Sequence, residues 1–62
     1  MNELINYILS IGYKYSHRTE PTNFHYINEL KHELIYDDYK NMIKIGKNYC
    51  SKVNDLKNEL TK

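Results

Sequence analysis

The sequence contains few of the residues that cross-link or bend a small fold. Its 62 residues include one cysteine, one proline and two glycines. A single cysteine excludes a disulfide within the chain and, with no signal-like segment, predicts a reducing, cytoplasmic environment. The scarcity of glycine and proline disfavours an all-β fold, which would need several tight turns.

Long apolar stretches and an excess of one charge are also missing. The richest apolar segment, residues 4–11, is interrupted by Asn6 and Ser10 and falls short of the roughly 20 residues of a membrane span. The net charge is +1, with basic and acidic residues interspersed. This balance gives little support for a nucleic-acid partner, and the hydropathy predicts no membrane association.

The length limits how much of the chain can be buried. A single domain of 62 residues buries only about 60% of the surface that its unfolded chain exposes. Folds of this size usually need disulfides, a metal or a partner chain. Because a disulfide within the chain is excluded, we expect oligomerisation to complete the fold, with a homodimer favoured.

The strongest positive signal is a run of apolar and small residues in the C-terminal half. Over residues 35–60 they recur at alternating steps of four and three, which keeps one stripe of a helix facing a partner. The apolar phase slips after Leu34, and Asp37 or Asp38 could cap a new helix there. The sequence thus predicts a long amphipathic helix over residues 38–61. Its predicted self-association stripe comprises Tyr39, Met42, Gly46, Tyr49, Cys50, Val53, Leu56 and Leu60.

Two shorter helices are predicted before this one. Asn2 suits the N-cap of the first, whose apolar phase favours an end near Tyr15, although Gly12 would permit an earlier stop. A break around Pro21 separates it from the second helix. The predicted fold is therefore all-α: one small domain of three helices, arranged helix-loop-helix-helix. Their predicted bounds are residues 2–15, 23–35 and 38–61.

Two alternatives to this arrangement stay open. Tyr13, Tyr15 and His17 alternate with polar residues, as do Phe24 and Tyr26, so the two flanks could pair as a short β-hairpin. The turn between them lacks Asn-Gly or Asp-Gly, and two isolated strands are marginal in water. The second and third helices could also be one continuous helix with a phase slip.

A possible metal site lies on the second predicted helix. His25, Glu29 and His32 have the spacing that places three side chains on one helix face, and they could offer two imidazoles and a carboxylate to a transition metal. Polar residues on the outer face of a helix are usually just solvated. We favour that interpretation and expect no metal or cofactor.

A basic row lies on the third predicted helix. Lys40, Lys44 and Lys47 share one face and could follow a phosphate backbone. The chain has one arginine and no helix-turn-helix or zinc-finger pattern, so a solvated face is again favoured.

The sequence contains few features that are typical of a catalytic site. Cys50 lies in the apolar stripe, where a buried packing residue is favoured over a reactive thiolate. The adjacent Asp37 and Asp38 suit capping. There is no glycine-rich phosphate loop, no Ser/His/Asp pattern and no CxxC, and so small a chain has little room for a substrate pocket. We expect the protein not to be an enzyme.

The seven tyrosines point instead to protein binding. They are too many for one tiny core to hide, and tyrosine is enriched at interfaces because it combines contact area with a polar tip. We predict a small non-enzymatic protein-binding module or inhibitor of a larger protein. A phage or mobile-element protein that acts on a host protein fits this size and composition. The partner-binding candidates are Tyr26, Tyr36, His25, Glu29 and His32. The alternative is a small nucleic-acid-binding regulator that uses the lysine row.

Overall fold

The computed structural model describes residues 2–61 and shows a five-stranded antiparallel sheet with two short helices. The elements are α1 (Glu3–Ser10), β1 (Lys14–Glu20), β2 (Asn23–Ile27), β3 (Glu33–Asp37), β4 (Met42–Ile45), β5 (Asn48–Cys50) and α2 (Val53–Leu60). The strands lie in the sheet in chain order, and each pairs with the next. The sheet is therefore a simple meander, with β1 and β5 at its edges.

Polar side chains, rather than glycine or proline, shape two of the turns. Between β2 and β3, Asn28 Oδ1 accepts the backbone N–H groups of Leu30 and His32, at 3.1 and 2.9 Å. Between β3 and β4, Asp37 Oδ1 accepts the backbone N–H of Tyr39 at 3.0 Å. Asparagine and aspartate commonly stabilise turns in this way. A chain with little glycine can therefore still form several hairpins.

Among residues 2–61, only one face of the sheet, called here the covered face, packs against the helices. Alternate residues of a strand point to opposite faces, and residues paired across strands share a face. The buried core comprises Leu34, Tyr36, Ile43 and Cys50 of the sheet, Tyr13 before β1, and Leu4, Ile8 and Leu56 of the two helices. Ile8, Ile43 and Leu56 have no exposed surface, so they form its centre.

The opposite face of the sheet, called here the open face, faces away from both helices. Its central row crosses β2 to β5 through His25, Ile35, Lys44 and Tyr49. Ile35 and Lys44 are partly exposed and Tyr49 is half exposed, whereas His25 is buried. Chemically varied side chains therefore lie beside one another on this face of the sheet.

The predicted all-α, three-helix fold is wrong. Residues 23–35, predicted as a helix, contain β2, a turn and the start of β3. The hairpin alternative is the arrangement present: β1 and β2 pair from Lys14 opposite Ile27 to Glu20 opposite Asn23, with two irregularities in register. Two strands alone would be marginal, but three further strands and a helical layer provide the missing support.

The predicted helix over residues 38–61 is also wrong for most of its length. Only α2 is helical, while the preceding residues form β4, β5 and two turns. Gly46, predicted inside the helix, has a φ of +58° in the two-residue turn between β4 and β5. A positive φ at this position is typical of tight hairpins. Asp37 and Asp38 accordingly lead into a strand turn rather than a new helix.

The first helix begins where the sequence predicts and ends early. Asn2 Oδ1 accepts the backbone N–H of Ile5 at 3.1 Å, the expected N-cap bond. At the other end, the N–H of Tyr13 donates to the carbonyl of Ile8 at 3.0 Å, and Gly12 has a φ of +105°. This is the Schellman pattern of helix termination. The earlier stop at Gly12, rather than an end near Tyr15, is therefore correct.

Candidate functional site

An open cleft with an aromatic wall lies at the margin of the covered face, beside the start of α1. Its volume is about 330 Å³. It is lined by Asn2, Ile5, Asn6, Phe24, Tyr26, Tyr36 and Asp38. Phe24 and Tyr26 are only partly buried, because the helices leave this end of the sheet uncovered. The cleft therefore presents ring faces and hydroxyl groups to whatever enters it.

Edge strand β1 extends this aromatic wall. The ring centroid of Tyr15 lies 5.8 Å from that of Tyr26, edge-on, and 6.4 Å from that of Phe24. The Arg18 guanidinium carbon lies 5.6 Å from the centroid of the Phe24 ring. Cation–π contacts and edge-on ring pairs both hold such groups in defined orientations. Tyr15, Arg18, Phe24 and Tyr26 are called the aromatic surface below.

A hydrogen-bond network fixes one end of the cleft. The Tyr36 hydroxyl donates to Asn41 Oδ1 at 2.7 Å, and the side-chain amide of Asn2 donates to the same oxygen at 3.2 Å. The Asn2 amide also contacts the Tyr36 hydroxyl. The network joins the N-cap of α1, the end of β3 and the turn after it. The cleft is therefore held by three separate parts of the chain.

The ionisation of Tyr26 reflects its position in this cleft. Partial burial raises the pKa of the Tyr26 hydroxyl above its ordinary value of 10.0, and the neighbouring Tyr15 and Tyr36 hydroxyls raise it further. The raised pKa keeps the hydroxyl group protonated further into alkaline pH, where it can still donate a hydrogen bond.

The open face carries a second feature, formed by lysines around Tyr49. The Lys40 ammonium lies 5.2 Å from the centroid of the Tyr49 ring. Lys44 lies directly opposite Tyr49 in the pairing of β4 with β5. The predicted lysine row is therefore not a helix face: Lys40 lies before β4, Lys44 within it, and Lys47 in the turn after it.

A histidine–carboxylate cluster also lies on the open face, on strands β1 to β3, away from Tyr49 on edge strand β5. His17 of β1, His25 of β2 and Glu33 of β3 place one ligand atom each within 4.8 Å of the others. The predicted metal candidates His25, Glu29 and His32 do not share a face, because Glu29 and His32 lie in the exposed turn after β2. Only His25 of that set belongs to the cluster.

The sequence contained a signal for this pairing. His17 and His25 lie four residues on either side of Pro21, so a hairpin centred there places one opposite the other. The helical interpretation obscured that signal, and it also concealed the proximity of Tyr15 to Phe24.

The eight residues of the predicted self-association stripe are distributed over several surfaces. Cys50 and Leu56 are buried in the core, which confirms Cys50 as a packing residue, and Val53 and Leu60 pack against that core. Met42 and Tyr49 lie on the open face, and Tyr39 and Gly46 lie in turns. No single helix face joins them. Of the partner-binding candidates, Tyr26 and Tyr36 line the aromatic cleft.

Comparisons with known protein families, characterised proteins and solved structures give no significant match to this chain. Within residues 2–61, neither helix has the length and apolar character needed to cross a membrane.

Proposed function

We propose that the protein is a small non-enzymatic protein-binding module that contacts its partner through the aromatic surface and the adjoining cleft. The observation that carries this proposal is the grouping of partly exposed rings beside a free strand edge. Tyr15 is 54% exposed, and Phe24 and Tyr26 are partly exposed beside it. Aromatic residues and arginine are the side chains that contribute most to the free energy of binding at protein interfaces.

The edge strand gives this surface a second way to hold a partner. All seven residues of β1 are exposed, and in the part of the chain that the structure describes the strand pairs only with β2. An extended segment of another protein could pair with β1 near Tyr15 and place a side chain in the cleft. The two register irregularities in β1 would limit such pairing to a short stretch.

The position of the single thiol supports a non-catalytic role. Cys50 is 2% exposed on the covered face, whereas His17 and His25 lie on the open face. The sheet therefore separates the thiol from these two imidazoles, and the third histidine, His32, lies in the exposed turn after β2. We further propose a reducing, cytoplasmic setting, on the basis of that single cysteine. Homodimer formation and inhibition of a host protein by a phage or mobile-element product stay predictions.

A photo-crosslinking experiment tests this role. A benzophenone amino acid replaces Tyr15 in one variant and Tyr49 in a matched control, since Tyr49 is 50% exposed on the opposite face. We expect a discrete crosslinked product from a lysate of the source organism with the probe at position 15 only. Arg18→Glu in the same protein should weaken the product. Equal products from both positions, or a product from position 49 alone, would contradict the proposed surface.

The second candidate function is binding of single-stranded nucleic acid on the open face. The observation in its favour is the placement of Lys40 and Lys44 around the half-exposed ring of Tyr49. Bases stack on exposed aromatic rings while lysines attract the phosphates. Fluorescence anisotropy with labelled oligonucleotides at about 50 mM salt tests this. Binding should be lost in Tyr49→Ala and kept in Tyr15→Ala, and no binding by the wild-type protein excludes it.

A further inference from the structure

We propose that His17, His25 and Glu33 form a binding site for one divalent transition-metal ion, with Zn²⁺ as the expected occupant. The three side chains come from three consecutive strands and meet on the open face. This site is independent of the aromatic surface, which lies on the opposite side of the sheet. Two imidazoles, one carboxylate and a water molecule are a common ligand set for zinc in proteins.

The spacing of two of the ligand atoms suits a shared ion. His25 Nδ1 lies 3.3 Å from Glu33 Oε1. Two ligands at zinc bond lengths of about 2.0–2.1 Å, arranged tetrahedrally, lie roughly 3.3–3.4 Å apart. His25 Nδ1 is buried and has no hydrogen-bond partner among the described residues. Buried ring nitrogens are usually satisfied, and an ion held between this nitrogen and Glu33 would satisfy it.

The other nitrogen of His25 is already held by an oxygen. His25 Nε2 lies 2.8 Å from Thr19 Oγ1. When Nε2–H donates to that hydroxyl, Nδ1 carries the lone pair and points it towards Glu33. Metal-binding histidines typically donate their second N–H to an oxygen in this way, which fixes both tautomer and ring orientation. His25 is 8% exposed, so this orientation is also restrained by packing.

His17 supplies the third ligand after a change of side-chain rotamer. Its ring stacks on that of His25, with centroids 4.3 Å apart and planes 15° from parallel. Nearly parallel rings do not direct their lone pairs at one point. His17 lies exposed on the edge strand, so its ring can rotate. In the present rotamer its Nδ1 lies 3.0 Å from Ser16 Oγ, a contact that the rotation would break, so either ring nitrogen could bind.

The chemistry of the donors selects the ion. Imidazole and carboxylate favour zinc and neighbouring transition metals over Mg²⁺ or Ca²⁺, which prefer sites built from oxygen alone. The bound ion would link β1 to both β2 and β3. Small domains often gain stability from such a link, and this chain has no disulfide to provide it. Zinc should therefore raise the Tm of the protein.

Titration of the untagged, metal-free protein tests the site. Calorimetry with Zn²⁺ should give one ion per chain, and Co²⁺ should produce the intense visible absorption of a tetrahedral complex. Proton NMR should show the ring signals of His17 and His25 shifting while those of His32 stay in place. His32 is the matched control, because it is the third histidine and lies exposed in the turn after β2.

Variants identify the ligands. His17→Ala and Glu33→Gln should each weaken zinc binding by about 100-fold or more, and Thr19→Val by about 10-fold, in line with the usual cost of losing an outer-shell partner. His32→Ala should bind as the wild type does. Far-UV circular dichroism checks that each variant is folded. If His25→Ala does not fold, the zinc affinities of His17→Ala and Glu33→Gln test the ligand assignment without it.

Three results would overturn the proposal. The first is no zinc binding by folded wild-type protein in the micromolar range. The second is a loss of binding in His32→Ala as large as that in His17→Ala. The third is unchanged affinity in Glu33→Gln, which would leave only two ligands and exclude the proposed site.

Discussion

The two faces of the sheet are built from the same strands, and they differ in almost every property. On the covered face, one row of paired residues runs through Phe24, Tyr36, Ile43 and Cys50. On the open face, the adjacent row runs through His25, Ile35, Lys44 and Tyr49. A shift of one residue along each strand thus separates the apolar core from titratable and charged side chains. The covered face thus holds the core and, at its margin, the proposed partner-binding surface, whereas the open face holds the proposed zinc site.

The largest expected effect comes from equal truncations on the two faces. Ile43→Ala removes a side chain with no exposed surface and should cost about 2–5 kcal/mol of unfolding free energy. Ile35→Ala, on the partly exposed open face, should cost much less. A domain of this size is stabilised by only roughly 3–9 kcal/mol, so Ile43→Ala approaches complete unfolding. Urea denaturation measures both; equal losses would contradict the division between faces.

The next effect concerns the network that joins the covered face to the cleft. Asn41→Ala removes the acceptor of the Tyr36 hydroxyl and places alanine at a φ of 54°. We expect a loss of about 2 kcal/mol from the hydrogen bond and the left-handed backbone together. Asn41→Gly restores the backbone freedom alone and should recover part of that loss. Thermal denaturation compares the two, with exposed Asn54→Ala in α2 as the control.

A smaller change distinguishes the turn from the helix predicted by the sequence. Gly46 has a φ of +58°, and no atom lies within 4 Å of a Cβ added there. Gly46→Ala should therefore destabilise the protein by about 1 kcal/mol through backbone strain alone. Inside a helix the same substitution would stabilise by about that amount. Urea denaturation measures the sign: a lower midpoint for Gly46→Ala indicates the turn, and a higher midpoint would indicate a helix.

The smallest expected effect is a loss of stability at alkaline pH. Burial raises the pKa of Tyr13, as it does that of Tyr26, above the ordinary value of 10.0. The folded protein therefore retains these protons at a pH where the unfolded chain releases them. The contribution is fully present below pH 10 and declines as the pH rises through the folded-state pKa values.

Phenylalanine substitutions provide the check on this alkaline effect. Tyr13→Phe and Tyr26→Phe should each flatten the decline in unfolding free energy above about pH 10. Tyr39→Phe should not, because Tyr39 is 84% exposed in the turn after β3. An equal flattening by all three variants would count against burial as the cause.

The sequence predicted local features better than their arrangement in space. Asn2 as an N-cap, the break around Pro21 and the burial of Cys50 were all correct, because each depends on neighbours close in the chain or on simple hydrophobicity. The prediction that Asp37 or Asp38 caps a new helix is wrong, although the Asp37 side chain does accept backbone N–H groups. It does so in a turn between strands.

The error in fold class arose from two periodicities that overlap. Tyr39 and Gly46 belong to turns, yet they fall in phase with Met42 and Tyr49 and complete a false helical stripe. The strand signal was the alternation of Ile43 and Ile45, which is too short to stand out. The low glycine content wrongly disfavoured a fold with many turns. Here the side chains of Asn28 and Asp37 stabilise turns instead.

The candidate sites were missed because they depend on pairing between strands, and the β1–β2 hairpin was considered only as an alternative to the helices. His17 meets His25, and Tyr15 meets Tyr26, only once β1 and β2 pair in this register. Glu33 joins the histidines through the next pairing along the sheet. Register is determined by the burial of one face against the helices, which no local segment encodes.

The most direct test of the two-faced arrangement is a methyl-labelled NMR experiment on the full chain. We expect nuclear Overhauser contacts between the methyl groups of Ile43 and those of Ile8 and Leu56, and none from Ile35 to either helix. We also expect cross-strand contacts between the backbones of Tyr36 and Ile43. Sequential helical contacts running unbroken through residues 38–60, or Ile35 methyl groups in contact with Leu56, would contradict this arrangement.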